Sequence, residues 1–405
     1  MHLFTPAMRA DPYPFYRWLR DEQPVYFDDE HGFWLLSRYE DVAAALHDPR
    51  LLSGRGDSLE KLKEAGDEDL SLVYRAVEDM TLFCDPPKHT RLRGLMQKAF
   101  TPKALDAMGA QVQALVDELL APHLPTGHID LIDDFAIKLP MFVISEMLGV
   151  RRDDRLMFQR WTQDFNTFTG KVNTTAEEND RTARSMCAMF GYFGRRIDEL
   201  RAQPEPGKLL SELVQAEMQG DRLTTHELLA NCVLLLAAGF ETTAFFLGNA
   251  MVALLTHADQ LQRLREHPAL IYPAVEELLR FDGSVQFTGR MAAEDIIWGG
   301  QRIRAGEFVM LLIGSANRDP RQFAGAGADA DADALDIARA ENKHIGFGHG
   351  IHFCLGAPLA RLEARIALGT LVRRLANVRL ANDDIEWRDN FSVRGPVSLP
   401  LAFTA

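Results

Sequence analysis

Apolar residues gather in long blocks along most of this chain, and only a few short stretches read as strands. The longest block runs from Leu228 to Phe240 and resumes from Thr242 to Ala258, with Glu241 the one charge between them. Thr224 and Glu227 form a capping-box pattern at its start, which predicts a long helix. A bilayer span would hold Glu241 near its centre and add Asn231, Thr242, Thr243 and Asn249 to the polar cost. The pattern therefore predicts a buried helix through the middle of a soluble protein rather than a membrane anchor. Leu355, Leu359, Leu362 and Ile366 recur at helical spacing and predict a second buried stripe. Pro24-Val25-Tyr26-Phe27 and Phe33-Trp34-Leu35-Leu36 flank a polar loop ending in Gly32, a hairpin pattern. A second hairpin group runs from Ile296-Ile297-Trp298 through Gly299-Gly300 and Ala305-Gly306 to Phe308-Val309-Met310-Leu311-Leu312. Together these elements predict a mainly α fold with small β-sheets.

No repeat and no Ser/Gly/Pro-rich linker divides the chain, which predicts a single domain over residues 1–405. The stretch from Ala324 to Asp333 is built of Ala, Gly and Asp and predicts a solvated, mobile surface loop. Residues 55–79 mix both charge signs and read as a helix or a flexible connection.

Composition narrows the function classes. With 47% hydrophobic and 25% charged residues and a mean hydropathy of -0.14, the chain is ordinary for a folded soluble protein. Its 44 basic and 58 acidic residues give a net charge of -14, which argues against nucleic acid as a partner. Cys84, Cys187, Cys232 and Cys354 lie far apart with no CxxC pair, so neither a disulfide framework nor a zinc knuckle is expected. The N-terminus, Met1-His2-Leu3-Phe4-Thr5-Pro6, shows no leader or anchor pattern. A cytoplasmic protein is the expectation.

One cysteine has a setting with chemical meaning. In Phe347-Gly348-His349-Gly350-Ile351-His352-Phe353-Cys354-Leu355-Gly356 it follows a glycine-punctuated turn and precedes the second helical stripe. Free N–H groups at a helix start favour a thiolate over a thiol, and glycines let backbone approach a flat bulky group.

This pattern, Phe-Gly-x-Gly-x-His-x-Cys-x-Gly, resembles the cysteine loop of the soluble bacterial cytochrome P450 haem-thiolate monooxygenases, and every fixed position matches. The resemblance implies a fold in which haem lies between a long central helix and the cysteine-loop helix. The cofactor would be haem b, iron protoporphyrin IX, with Cys354 as the axial ligand of the iron. Phe347 would shield the sulfur, and Gly348, Gly350 and Gly356 would shape the loop.

Distant segments match in the expected order. Ala238-Gly239-Phe240-Glu241-Thr242-Thr243 resembles the oxygen-activation segment. There Ala238 would meet the haem, Thr242 would bond back to the Ala238 carbonyl and open a groove, and Glu241 would relay protons. Glu277 and Arg280 share a helix face and, with Arg339, would form the family's structural ion network. His89 and Arg93, from Asp85-Pro86-Pro87-Lys88-His89-Thr90-Arg91-Leu92-Arg93, match propionate contacts, as do Arg290 and His352. The substrate pocket would draw on Leu82, Phe83, Phe165, Phe168, Leu235, Ala238, Phe240, Val285, Gln286, Phe287, Phe391 and Val393. Their apolar and aromatic character suits a terpenoid, steroid, fatty acid or macrolide-like substrate.

The implied reaction inserts one oxygen atom of O2 into that substrate, by hydroxylation or epoxidation. Electrons would come from a ferredoxin and its NAD(P)H-dependent reductase, because no flavin or iron–sulfur module fits in the chain. Arg91, Lys98, Arg361 and Arg365 are candidates for a basic patch facing such a donor, and the protein is expected to act as a monomer without a membrane. Three other readings stay open: a peroxide-driven haem-thiolate peroxygenase, a haem-binding gas sensor without catalysis, and a helical protein without haem.

Overall fold

The computed structural model describes residues 4–54, 68–97, 102–171, 174–218, 223–324, 331–382 and 384–404. The chain forms two compact units. The first comprises Met1–Leu51, Gly109–Leu139 and Thr242–Ala405, the second Leu52–Met108 and Pro140–Glu241.

The first unit is built on a mixed sheet. Val25–Asp28 pairs antiparallel with Phe33–Leu36, which runs parallel to Phe308–Leu311, which pairs antiparallel with Thr288–Ala292. Side chains alternate across a strand, and here both faces are covered. Trp34, Leu36, Val309 and Leu311 pack to one side with Ile296 and Ile303, while Phe33, Leu35, Met310 and Leu312 pack to the other with Phe15, Tyr16 and Leu19. The burial of both faces explains why Phe33-Trp34-Leu35-Leu36 is apolar throughout. A second sheet orders His128–Asp130, Pro400–Thr404 and Ala376–Leu380, all antiparallel.

The hairpin expected around Gly32 is formed. The second hairpin group divides. Gly299 and Gly300 both take positive φ, +54° and +80°, so the chain reverses at once and Ile296–Trp298 pairs with Gln301–Ile303. Phe308–Leu311 is left to pair with Thr288–Ala292, an element without an alternating pattern.

The helix Ala357–Arg374 packs on Ile271–Asp282 and on Ala258–Glu266. On another side Thr370 and Arg374 bond to Gln113 and Asp117 of Pro102–Leu120. Being covered from several sides, it buries Glu363, Ala364, Ala367, Leu368 and Leu371, while Leu362 and Ile366 of the expected stripe are only half-buried.

The second unit is helical. Ala176–Ala202 opens with a capping box of Thr175 and Glu178 and buries Ala183, Met186, Met189, Phe193, Ile197 and Leu200 at helical spacing. It packs against Arg155–Gly170, Glu68–Asp79 and Leu209–Met218. Residues 55–67, the first part of the charged stretch, lie outside the described residues; Glu68–Asp79 is helix.

The helix Thr225–Thr256 is continuous, and the boundary between the units falls at Glu241 and Thr242. The capping box at its start is formed: Thr224 N–H donates to Glu227 Oε2 at 2.9 Å and Glu227 N–H to Thr224 Oγ1 at 3.1 Å. The helix is long and apolar enough to cross a membrane, yet 78% of its most apolar window is buried within the protein.

Candidate active site

The cysteine loop belongs wholly to the first unit. Gly348 N–H donates to the Ile345 carbonyl at 2.8 Å and Phe353 N–H to the Gly350 carbonyl at 3.1 Å, closing two successive turns. Cys354 N–H then donates to the Phe347 carbonyl at 2.9 Å. Gly350 has φ +70°, and a Cβ there would stand 2.6 Å from the Leu46 carbonyl oxygen. No other residue suits that position. Gly356 caps the helix Ala357–Arg374, so Cys354 stands two residues before the cap. Cys354 is half-buried, Cys84 and Cys232 are buried, Cys187 is exposed, and none of the four forms a disulfide. Burial pushes the Cys84 thiol up to about 11 and Cys232 higher still, so neither is a candidate thiolate.

Arg290 lies on the strand Thr288–Ala292, opposite Val309, and is buried. Its Nη1 donates to the Gly289 carbonyl at 2.8 Å and to Thr288 Oγ1 at 3.2 Å. His352 closes the short turn Gly350–His352 before the cysteine. Thr242 is half-buried, and its carbonyl accepts from Ser284 Oγ at 2.6 Å. Val285 and Val393 face each other in an isolated bridge, while Gln286, Phe287 and Phe391 line one cleft with Tyr16, Met310 and Leu312.

Glu277, Arg280 and Arg339 come together. Arg280 Nε and Nη2 meet the two Glu277 oxygens at 2.7 and 2.8 Å, and Arg339 Nε meets the same carboxylate at 3.2 and 3.1 Å. Arg280 also donates to the carbonyls of Asn317, Ala332 and Ala334. The end of the Ala/Gly/Asp stretch is therefore held, with Ala332 buried, instead of being a free loop; residues 325–330 lie outside the described residues.

In the second unit Asn231 joins the central helix to the turn that carries Leu82 and Phe83. Its Nδ2 donates to the Asp79 and Glu227 carbonyls, both at 2.8 Å, and its Oδ1 accepts from Thr81 N–H at 2.9 Å and Thr81 Oγ1 at 2.7 Å. Every hydrogen-bonding atom of this buried amide is used. His89 and Arg93 lie one turn apart on Lys88–Gln97. Burial first, then the Arg93 charge, pushes the His89 imidazole below its ordinary value. Phe165 is buried, and the Phe168 ring meets Tyr74 at 5.9 Å. Leu235, Phe240 and Glu241 are buried, and Ala238 is exposed within the described structure. At Gly239 a Cβ would stand 3.2 Å from Ile144 Cγ1, so the helices approach closely there. Asn166 Nδ2 donates to the Ala237 carbonyl at 3.3 Å.

Of the residues expected to form a basic patch, Lys98 lies outside the described residues. The other three carry carboxylate partners. Arg91 grips Glu227 with two nitrogens, and Arg361 and Arg365 share Glu276. Glu276 and His344 are the residues that sequence reasoning passed over, although Glu276 adjoins the Glu-x-x-Arg pair. Burial works against the charge on Glu276, but hydrogen bonds from His344 and Arg361 outweigh it and hold the carboxyl at about 2.

Each unit by itself carries side chains of the kind that the expected haem would need. Cys354 supplies one half-buried sulfur, and a Cβ added at Gly356 would stand 4.0 Å from its Sγ, at ordinary contact distance. Arg290, His352, His89 and Arg93 are the kinds of donor that carboxylates require.

The comparisons agree. The family description "Cytochrome P450" matches residues 71–268 and 269–395. The chain is 39% identical over 405 residues to the vitamin D(3) 25-hydroxylase of Pseudonocardia autotrophica, covering 98% of this chain and 95% of that one. The crystal structure of CalO2 superposes with a TM-score of 0.92 at 34% identity, covering 100% and 98% of the two chains. Myxobacterial cytochrome P450 CYP267B1, solved in complex with myristic acid, gives 0.90 at 36% identity, covering 100% and 99%. With likeness running through both units and the cysteine loop intact, the chain belongs to the cytochrome P450 family, the monooxygenases whose cofactor is haem b.

Proposed function

We propose that this P450 hydroxylates or epoxidises a hydrophobic small molecule of fatty-acid, terpenoid, steroid or macrolide-like character. One oxygen atom of O2 enters the substrate and the other leaves as water. When bound, haem b supplies the activation of dioxygen and the transfer of the oxygen atom. Cys354 would hold the iron through its thiolate, and its backbone N–H donates to the Phe347 carbonyl, which holds the residue in the loop. Phe347 would shield the sulfur, Gly348 and Gly356 would shape the loop, and Ala238 would meet the haem. Arg290, His352, His89 and Arg93 hold the propionates. Thr242 and Glu241 hold and deliver the protons that oxygen chemistry consumes, Thr242 bonding back to the Ala238 carbonyl. Glu277, Arg280 and Arg339 act structurally.

The observation that carries this reading is the loop Phe347–Gly356, in which a half-buried cysteine sits at the head of a helix and is held there by backbone. The substrate class is supported by the apolar character of Phe287, Phe391, Phe165 and Phe168, and by relatives named for vitamin D hydroxylation and solved with myristic acid. Both units act as one haem domain, a reading supported by the family match across them. The protein works in the cytoplasm as a monomer with a ferredoxin and an NAD(P)H-dependent reductase. Two arginines on Glu276 leave one net positive charge there in an otherwise acidic chain, which supports an acidic donor.

Turnover of a panel of fatty acids and secosteroids under 18O2 with a ferredoxin system tests it. Incorporation of one labelled atom, dependent on the ferredoxin, is expected. Product with peroxide alone and none with the ferredoxin system would assign the peroxygenase reading instead.

A further inference from the structure

Arg361 has the charge of a docking residue but the geometry of a clamp. Its Nε and Nη2 reach the two oxygens of Glu276, both at 2.8 Å, in the forked arrangement that only a guanidinium can make. His344 holds the same carboxylate, Nε2 to Oε2 at 3.0 Å. His344 Nδ1 accepts from Gly346 N–H at 3.1 Å, so the ring proton sits on Nε2 and points at Glu276. Fixed in this way, the Arg361 guanidinium lies over the Phe347 ring, 4.5 Å from its centroid. Phe347 is the residue whose carbonyl accepts the Cys354 N–H at 2.9 Å.

We infer that Arg361 is a positioning residue for the cysteine: anchored by Glu276, it pins the Phe347 ring and with it the carbonyl that orients Cys354. The inference rests on the reading of Cys354 as the iron's thiolate ligand. Planarity matters here as much as charge. A lysine keeps the charge but neither forks onto the carboxylate nor lies flat on a ring.

The test uses the full-length holoprotein as wild type, Arg361→Lys, Arg361→Gln, Phe347→Leu and the double variant R361Q/F347L. The readouts are the midpoint reduction potential and the rate at which the ferrous carbon monoxide complex passes from its red-shifted thiolate band to the shorter-wavelength thiol band. Both arginine variants should accelerate this passage by roughly tenfold, and the double variant should be no faster than the faster single one, as for two residues acting through one contact. The potential should move in Arg361→Lys as well as in Arg361→Gln. Wild-type behaviour of Arg361→Lys, or single effects that multiply in the double variant, would overturn the inference. If an arginine variant loses haem, Glu276→Gln is read in the same way, acceleration supporting the clamp and a wild-type rate overturning it. A wild-type protein without the thiolate band would sink the Cys354 reading itself.

Discussion

Glu277 and Arg280 meet in the first unit with both side chains 0% exposed, two hydrogen bonds joining them at 2.7 and 2.8 Å. Arg339, Asn342 and the backbone N–H of Asp336 also bond to this carboxylate. A buried charge stripped of its partner costs far more than a surface pair contributes. Glu277→Gln should therefore destabilise the protein by about 3–5 kcal/mol, read by chemical denaturation. Replacement of the exposed Asp295, partner of Arg302, should leave the denaturation midpoint close to that of the wild type.

Glu363 carries the opposite signature. It is buried in the helix Ala357–Arg374, its Oε2 has no hydrogen-bond partner, and burial pushes its carboxyl up to about 8. The unfolded chain releases this proton near 4.5, the folded chain only near 8. Above the lower value the unfolded state binds fewer protons, so the stability this group contributes is whole below about pH 4.5 and falls as pH rises to 8. Glu363→Gln should remove that slope. Its melting temperature, relative to wild type, should rise between pH 5 and pH 8, and a constant offset would contradict the assignment.

Thr242 is placed to test proton delivery. Its carbonyl is held by Ser284, so substitution of the hydroxyl leaves that backbone tie in place. Thr242→Ala should bind haem and substrate as before while product formed per NAD(P)H falls by about tenfold or more and peroxide accumulates. Unchanged coupling would remove the role.

Two glycines of like backbone but unlike surroundings separate strain from collision. Gly300 has φ +80° and nothing within 4 Å of a would-be Cβ, whereas Gly350 has φ +70° and meets the Leu46 carbonyl at 2.6 Å. Gly300→Ala should cost about 1 kcal/mol, the backbone preference alone. Gly350→Ala should cost roughly 2 kcal/mol more and disturb the haem spectrum, because the cysteine loop must move to accommodate it. Equal effects at both sites would show that the contact with Leu46 does not shape the loop.

The cysteine loop and the central helix were legible because their signals are local. The first is a spacing of ten consecutive residues, the second an absence of charge over an apolar run. Partnerships across the sequence were harder to read. Phe308–Leu311 pairs with Thr288–Ala292, and nothing in either strand names the other. Arg361 reads as a free surface cation until the fold brings Glu276 to it across 85 residues of sequence. The Ala/Gly/Asp stretch reads as solvated, yet Arg280 and Arg339 are long enough to seize the carbonyls at its end.

The bond from Cys354 to iron is the claim on which the rest stands, and the absorption spectrum of the reduced protein under carbon monoxide tests it most directly. The wild-type protein should show the strongly red-shifted Soret band of a thiolate opposite the gas, and Cys354→Ala should lose it. A histidine-type band in the wild type, or a red-shifted band that survives in Cys354→Ala, would contradict the account.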